Sequence, residues 1–414
     1  MIALTSTGAF EFQVLTQALS RVDRSNPGEL VSPVNWKPLA ENLASILEGS
    51  DDLVSPHWKQ AFEEVPRHVF VPRYFQNHGG VPTRWKPLDA ADGGDWLNPI
   101  YTNTTLVTRL DPETAKSADG LLTGVPTSSS TQPSLTARML EVLDVQPGDR
   151  VLDGGTGTGY QTALIAHRLE SADQLMTADI DPDVTSEALL TLEAIGITPN
   201  VLTVDVRDWA WPSESFDKAI ITCALPRITE TLRSAVAPGG RLVANLFPPL
   251  SGGLAVLDRM PDGSLEGRFQ AGGGSFMAAR TAAPAPPPPL ASGPVDAQRE
   301  SHVPVTAFDS YHFTFLLAST LPGVVLQYGT DDEGHTMRRL VMPDGAWAEG
   351  IFVGGQTRFR ETGERGIWDT VEGWWGWFVD HDMPKWDRFG LTVSDEEHRL
   401  WYETPEGLSW RLPV

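Results

Sequence analysis

Apolar and polar residues alternate with two different periods along the middle of the chain. Short apolar runs are typical of buried strands, and the segments between them carry apolar residues at every third or fourth position, as in amphipathic helices. The pattern predicts strands at 151–153, 175–179, 201–204, 219–222 and 241–247, and helices at 160–169, 184–195 and 228–236. Strands that alternate with helices form a mostly parallel sheet with helices on both faces. We therefore predict an α/β fold with a doubly wound, Rossmann-like sheet.

The first part of the chain predicts a helical layer in front of this sheet. Apolar residues at helical spacing predict helices at 38–48 and 56–64, and residues 65–72 lie between prolines and predict an extended segment. Residues 74–124 are rich in Gly, Pro, Asn and Asp. They predict one strand at 101–108 within a largely irregular lid or substrate wall. Residues 1–35 show weak periodicity and predict an extension to which no role is assigned.

The last part of the chain predicts a second, smaller domain. Strands at 254–259 and 265–269 predict a hairpin that closes the first domain, which spans residues 36–280. Residues 281–298 contain an Ala/Pro-rich run that predicts a stiff linker. Residues 299–414 then predict an α+β accessory domain that contains eight of the fourteen tryptophans: Trp347, Trp368, Trp374, Trp375, Trp377, Trp386, Trp401 and Trp410. For most of these rings a core position is favoured over a peptide groove.

Charge and cysteine content narrow the functional classes. The formal charge of −23 disfavours nucleic acid and anionic membranes as partners, so a polypeptide partner is favoured. Cys223 is the only cysteine, which excludes an internal disulfide and a multi-cysteine zinc site. We predict no metal ion in the site. The sequence shows no apolar run long enough to cross a bilayer, and we expect a cytoplasmic protein.

A glycine-rich turn carries the clearest chemical signal. Gly155, Gly157 and Gly159 follow a strand that contains Asp153, and Asp179 comes 20 positions after Gly159, at the end of the next strand. This is the spacing of a carboxylate that binds a ribose. The turn has no Lys or Arg, so a phosphate is disfavoured and the cationic end of S-adenosylmethionine is favoured. The alternative is a surface turn that binds nothing.

Two polar segments near these strands each have two interpretations. Residues 127–131 are consecutive hydroxyl residues before a predicted helix at 134–143, and they are either capping residues or donors to a carboxylate. Asp208 and Trp209 follow the third strand, where ligands of such sheets bind. We favour an adenine contact for this pair over a simple turn.

Five segments of the sequence form a recognisable set. They are V-P-R-H-V-F-V-P at 65–72, S-T-Q-P at 130–133, V-L-D-G-G-T-G-T-G-Y at 151–160, F-D-K-A-I-I-T at 216–222 and P-G-G-R-L at 238–242. In order and spacing they resemble the protein-L-isoaspartate O-methyltransferase family. The resemblance covers roughly residues 36–280 and implies a class I methyltransferase fold with S-adenosylmethionine as cofactor and S-adenosylhomocysteine as product. The runs at 128–139 and 387–392 resemble variants that accompany graspetide or lanthipeptide precursors.

The resemblance also implies a role for individual residues. Thr131 and Ser130 would be catalytic, and Thr131 stands where the family usually has serine. Gly154 stands where the family usually has an aliphatic residue. The implied cofactor contacts are Ser128, Ser129, Ser130, Thr136, Asp153, Gly155, Thr156, Gly157, Thr158, Gly159, Asp179, Ile180, Asp208 and Trp209. Within that set, Thr136 and Thr158 would lie near the methionine end and Ile180 near the ribose.

Three functions follow from these observations. The first is esterification of an aspartate in a modified, cyclised precursor peptide, which then closes to an aspartimide. The second is repair of isoaspartyl proteins, and the third is a peptide-binding escort without turnover. The sequence does not identify the peptide, its ring pattern or the oligomeric state.

Overall fold

The computed structural model describes residues 34–92, 95–247, 250, 252–281, 291–363 and 366–412. Most of the predicted N-terminal extension and the Pro-rich centre of the predicted linker lie outside these residues. Packing divides the chain into two compact units, Met1–Val206 and Arg207–Val414. None of the described helices combines the length and the apolar character that crossing a membrane requires.

The first unit begins with the predicted helical layer. Helix α1 spans Lys37–Gly49 and α2 spans Pro56–Glu64, each with a proline in its first turn. Proline is favoured there because the first helical N–H has no intrahelical partner. The helices bury Leu43 and Phe62, among others. The segment after them is not extended as predicted, because residues Arg67–Phe70 form a 3-10 turn.

The predicted irregular wall is instead a six-stranded antiparallel sheet. Its strand order is β4-β5-β2-β1-β3-β6, and a short helix, α3, spans Leu97–Ile100. The strands are β1 Arg73–Asn77, β2 Arg84–Asp89, β3 Leu106–Leu110, β4 Lys116–Ala118, β5 Leu121–Thr123 and β6 Pro126–Ser130. The strand predicted at 101–108 begins only at Leu106. Carbonyl groups of the preceding loop accept hydrogen bonds from Arg67 and do not join the sheet.

The rest of the first unit confirms the predicted alternation of strands and helices. Strands β7, β8 and β9 are parallel, and each helix follows or precedes a strand as predicted. The elements are α4 Pro133–Leu143, β7 Val151–Gly154, α5 Tyr160–Leu169, β8 Leu175–Asp179, α6 Pro182–Ala194 and β9 Asn200–Thr203. Because the strands are parallel, β7 and β8 end at the same edge. The glycine turn and Asp179 therefore lie side by side.

The second unit contains a parallel pair followed by the predicted hairpin. Strands β10 and β11 are parallel with α7 between them, and β12 and β13 continue the sheet antiparallel to β11. The bounds are β10 Phe216–Leu225, α7 Glu230–Ala235, β11 Val236–Leu246, β12 Gly253–Arg259 and β13 Leu265–Phe269.

The end of the chain extends this sheet. Strand β13 pairs with Phe389–Val393, which pairs with His398–Tyr402, and that strand pairs with Ser409–Arg411. Helix Tyr311–Thr320 adds Phe315, whose ring centroid lies 5.0 Å from that of Phe269 and 5.5 Å from that of Phe389. The predicted domain boundaries remain a prediction. The last strands continue the sheet beyond β13, and Phe315 contacts both Phe269 and Phe389.

A five-stranded antiparallel sheet completes the second unit. Its strands, in the order β14-β18-β17-β16-β15, are β14 Ala297–Ser301, β15 Val325–Thr330, β16 Thr336–Val341, β17 Trp347–Val353 and β18 Gln356–Glu361. Helix Tyr311–Thr320 is α8, and α9 spans Ile367–Asp380. The strands that extend the first sheet are β19, β20 and β21 in chain order. Trp368 on α9 is fully buried and stacks on Phe359 at 5.6 Å, so the predicted core position is confirmed for this ring.

Phe315→Ala should lower the free energy of unfolding by about 3–5 kcal/mol, because it removes a buried ring that joins α8 to the sheet. Tyr311→Ala on the same helix is the matched control, since Tyr311 is 72% exposed. It should change the free energy of unfolding by less than about 0.5 kcal/mol. Urea unfolding measures both values. Amide hydrogen exchange in β12 and β13 should accelerate in Phe315→Ala, and unchanged protection there would indicate two independent cores.

Candidate active site

The glycine turn between β7 and α5 has a backbone that other residues adopt only with strain. The φ angles of Gly155, Gly157 and Gly159 are 94°, 52° and 85°. A Cβ atom on Gly159 would lie 3.3 Å from the Cβ of Ala188, so α6 packs directly against the turn. Gly159 therefore allows α6 to pack closely against the turn, and Gly155 and Gly157 allow the turn to adopt its backbone conformation.

Asp179 is held at the edge of this turn by backbone donors. The N–H of Gly157 donates to its Oδ2 at 3.1 Å, and the N–H of Asp181 donates to its Oδ1 at 3.2 Å. The carboxylate is half-buried. Each carboxylate oxygen has more than one acceptor site, so a carboxylate fixed in this way is suited to accept from a pair of ribose hydroxyls. The predicted ribose role thus has a geometric basis.

Asp153 occupies a different environment. Its side chain is fully buried, and its carboxylate accepts from Gln161 Nε2 at 2.8 Å and from Thr162 Oγ1 at 2.7 Å. Thr177 Oγ1 lies 3.3 Å from the same carboxylate. Burial raises the pKa of Asp153 to about 6 although these donors lower it. Asp153 therefore ties β7 to α5 and β8, and the cofactor contact assigned to it stays a prediction.

The hydroxyl run covers β6 and the next residue, Thr131, and its side chains differ in burial. Successive residues of a strand point to opposite sides. Ser128 and Ser130 are buried, whereas Ser129 and Thr131 are half-buried. Ser128 Oγ accepts from Thr108 Oγ1 at 3.2 Å, and Ser130 Oγ accepts from Arg67 Nη2 at 3.2 Å. The structure therefore engages the hydroxyls of Ser128 and Ser130 in the protein interior, so a substrate role is better supported for Thr131 than for Ser130.

The backbone of β6 lies close to the glycine turn. A Cβ atom on Gly157 would lie 3.7 Å from the carbonyl oxygen of Ser129. The distance is an ordinary van der Waals contact, so the two backbones approach closely. This contact brings the predicted catalytic segment next to the predicted cofactor segment.

Arg67 is the central residue that sequence reasoning left without a role. It is fully buried, and its guanidinium donates to the carbonyl oxygens of Ile100 at 2.7 Å and Thr131 at 3.0 Å. It also lies over the ring of Tyr160, the first residue of α5, at 5.8 Å. The sequence signal was a basic residue inside an apolar segment between Pro66 and Pro72. Such a residue must find several acceptors when it is buried.

The remaining predicted contacts are distributed as follows. Thr156 and Thr136 are buried, and Thr156 Oγ1 is hydrogen-bonded to Thr177 Oγ1 at 2.7 Å. Thr158 and Ile180 are half-buried near the turn. Asp208 and Trp209 belong to the second unit and are exposed. Their assignment to the adenine stays a prediction.

Comparisons with known proteins agree with this arrangement. Residues 118–272 match the family model of protein-L-isoaspartate(D-aspartate) O-methyltransferase. The protein-L-isoaspartate O-methyltransferase of Trichlorobacter lovleyi is 30% identical over 214 residues, which cover 51% of this chain and 80% of that protein. The protein of the same name from Anaeromyxobacter dehalogenans is 40% identical over 114 residues, which cover 27% of this chain and 53% of that protein. The chain thus spans only about half of this second relative.

A solved structure of a protein-L-isoaspartate O-methyltransferase aligns over 100% of its own chain and 88% of this one. Its TM-score is 0.50 and its sequence identity is 17%, which indicates a shared fold. At this coverage the likeness extends into the segment after residue 298. The alternating strands, the glycine turn and these similarities lead to one conclusion. The chain has a class I methyltransferase fold and belongs to the protein-L-isoaspartate O-methyltransferase family.

Proposed function

We propose that this protein is an S-adenosylmethionine-dependent methyltransferase that esterifies the free α-carboxylate of L-isoaspartyl residues in polypeptides. The observation that carries the proposal is the close approach of β6 to the glycine turn, with the Ser129 carbonyl oxygen 3.7 Å from the Cβ position of Gly157. That contact would place the hydroxyl of Thr131 beside a cofactor held by the turn. Membership of the family supports the same reaction.

The residues of the turn fit a nucleoside cofactor better than a nucleotide. The turn offers backbone atoms without Cβ groups, and Asp179 presents a carboxylate that Gly157 and Asp181 hold in place. No Lys or Arg lies between residues 151 and 160 to neutralise a phosphate. When bound, S-adenosylmethionine supplies an electrophilic methyl group on a positively charged sulfur. Asp179 would accept hydrogen bonds from its ribose hydroxyls.

The protein has two tasks in the transfer step. A carboxylate is already ionised at neutral pH, so no strong general base is required, and the chain must orient the acceptor and exclude water. Thr131 would donate its hydroxyl proton to one carboxylate oxygen and leave the other oxygen for the methyl group. Ser130 and Arg67 would hold the Thr131 backbone in position, because Arg67 bonds to both residues.

A narrower substrate is the second candidate, namely an aspartate in a modified, cyclised precursor peptide that then closes to an aspartimide. It draws on the segment after residue 298, which lies outside the matched family region of 118–272. The structural likeness over 88% of the chain to a protein-L-isoaspartate O-methyltransferase weighs against it, because that likeness includes part of the same segment. General isoaspartyl repair is therefore the better supported reading.

Three peptides distinguish these readings when each is incubated with the protein and S-adenosylmethionine and then weighed by mass spectrometry. They are a linear isoaspartyl peptide, its normal aspartyl counterpart and a side-chain-cyclised peptide with a free aspartate. Repair predicts a gain of one methyl group on the isoaspartyl peptide. The narrower reading predicts a gain on the cyclised peptide alone. Binding without a mass change on any of them would indicate a non-catalytic escort.

Asp179→Ala should weaken the binding of S-adenosylhomocysteine, because two charge-assisted hydrogen bonds of about 1.5–3 kcal/mol each would be lost. Titration calorimetry measures the dissociation constant. Asp183→Ala is the matched control, since Asp183 is an exposed aspartate in the first turn of α6. A dissociation constant unchanged in Asp179→Ala would remove the ribose assignment.

Thr131→Ala should lower the methyl-transfer rate by about 10²-fold while cofactor affinity stays nearly constant, as for loss of one preorganised donor. Thr131→Ser should keep most of the rate, because the hydroxyl remains. Single-turnover kinetics with an isoaspartyl peptide measure the transfer step itself. Thr127→Ala is the control, because Thr127 is a half-buried threonine at the other end of the hydroxyl run, and it should resemble the wild type. Equal rates for Thr131→Ala and the wild type would show that Thr131 is structural.

A further inference from the structure

Arg67 is a buried charge whose hydrogen bonds all end on neutral groups. The side chain has no exposed area. Its acceptors are the carbonyl oxygens of Ile100, Thr102, Thr104 and Thr131 and the hydroxyl of Ser130. Among the described residues, no carboxylate pairs with it. Burial raises the pKa of the nearby phenols of Tyr160 and Tyr101, so both are neutral and supply no counter-charge.

Neutral acceptors satisfy the N–H groups of a guanidinium without cancelling its charge. Burial lowers the pKa of Arg67 to about 10, so the side chain still carries its proton at neutral pH. A buried charge without a counter-ion is costly, and most proteins supply one. Here the charge lies directly behind Ser130 and Thr131, with a hydrogen bond of 3.0 Å to the Thr131 carbonyl oxygen. The interior on that side of the site is therefore positive.

We propose that the charge of Arg67 sets the preference of the site for an ionised carboxylate over an amide of the same shape. The inference rests on the proposed function, in which Thr131 meets the acceptor carboxylate. An isoaspartyl residue and its β-linked asparagine analogue differ in one oxygen and one charge, so shape alone separates them poorly. A fixed positive charge nearby stabilises the bound carboxylate more than the bound neutral amide. Arg67 has its donors engaged inside the protein, so it is a positioning and specificity-determining residue and not a catalytic one.

The size of the effect follows from the Coulomb energy of two unit charges. At an effective dielectric constant of about 20 and a separation of about 7–10 Å, the interaction corresponds to roughly a 10- to 50-fold change in affinity. A structural role alone predicts a different pattern. If Arg67 only held the loop at 100–104 in place, any change of its shape would harm both ligands equally.

Three variants separate charge from shape. Arg67→Lys keeps the charge and loses the planar fork that reaches several carbonyl groups. Arg67→Gln loses the charge and keeps a polar head. Ser130→Asp leaves Arg67 intact and gives it a carboxylate partner, so it neutralises the charge even where Arg67→Gln fails to fold. Arg109→Gln is the control, because Arg109 on β3 already pairs with Glu187 and its charge is balanced.

The test is titration calorimetry of the full chain, saturated with S-adenosylhomocysteine, with two peptides that differ only in an isoaspartyl or isoasparaginyl residue. We expect the wild type, Arg67→Lys and Arg109→Gln to prefer the isoaspartyl peptide by about tenfold or more. Arg67→Gln and Ser130→Asp should lose about tenfold of that preference. Melting temperatures recorded in parallel report any general loss of structure.

Two results would overturn the inference. One is an unchanged preference in Arg67→Gln or Ser130→Asp, and the other is an equal loss in Arg67→Lys and Arg67→Gln. Methyl transfer to the isoaspartyl peptide is measured separately and tests the proposed function by itself. This activity can persist even if the preference for the isoaspartyl peptide does not depend on Arg67. Failure of the wild type to bind either peptide would also overturn the inference, whereas absence of methyl transfer to the isoaspartyl peptide would overturn the proposed function.

Discussion

The first unit depends on one buried guanidinium. Arg67 donates hydrogen bonds to carbonyl groups of residues 100–104 and of Thr131. Its guanidinium therefore links three segments that are far apart in the chain. Ile100 is buried, and loss of the hydrogen bond to its carbonyl group would cost free energy comparable to a lost hydrogen bond. The planar fork of arginine suits this task, because its N–H groups point in fixed and different directions. The same residue meets the ring of Tyr160, where the helix after the glycine turn begins.

Residues of the same type have different structural roles within the site. The two acidic residues that flank the glycine turn look alike in the sequence but have different surroundings. Asp153 is enclosed by Gln161, Thr162 and Thr177 and fixes the elements behind the turn. Asp179 is oriented by backbone N–H groups at the edge of the turn, where a ligand would lie. The hydroxyl run also contains residues in different surroundings, because Ser130 at the end of β6 is buried and Thr131, the next residue, is half-buried.

The second unit shows how the C-terminal segment packs against the strands that precede it in the chain. Its last three strands continue the sheet from β13, which otherwise would end as an open edge. Phe315 of α8 then packs between Phe269 and Phe389, and the segment shares one apolar core with the sheet. Strands β13 and β19, which lie on either side of the Ala/Pro-rich run at 281–298 in the sequence, therefore belong to one sheet. Amino-acid composition indicates the conformation that a segment prefers by itself, whereas strand pairing depends on partners far away in the chain.

The sequence by itself determined the alternation of strands and helices, the hairpin of β12 and β13, and the glycine turn with Asp179 opposite. These features depend on local periodicity, on the conformational freedom of glycine and on a short spacing along one chain segment. All three can be read directly from the sequence. Only the tertiary structure decided that residues 101–105 form a loop, that Asp153 faces inward and that Ser130 faces Arg67. In each case the deciding partner is remote: Arg67 is more than 30 residues from the loop and more than 60 from Ser130. A buried polar group takes whichever partner the fold brings to it, and no local pattern encodes that choice.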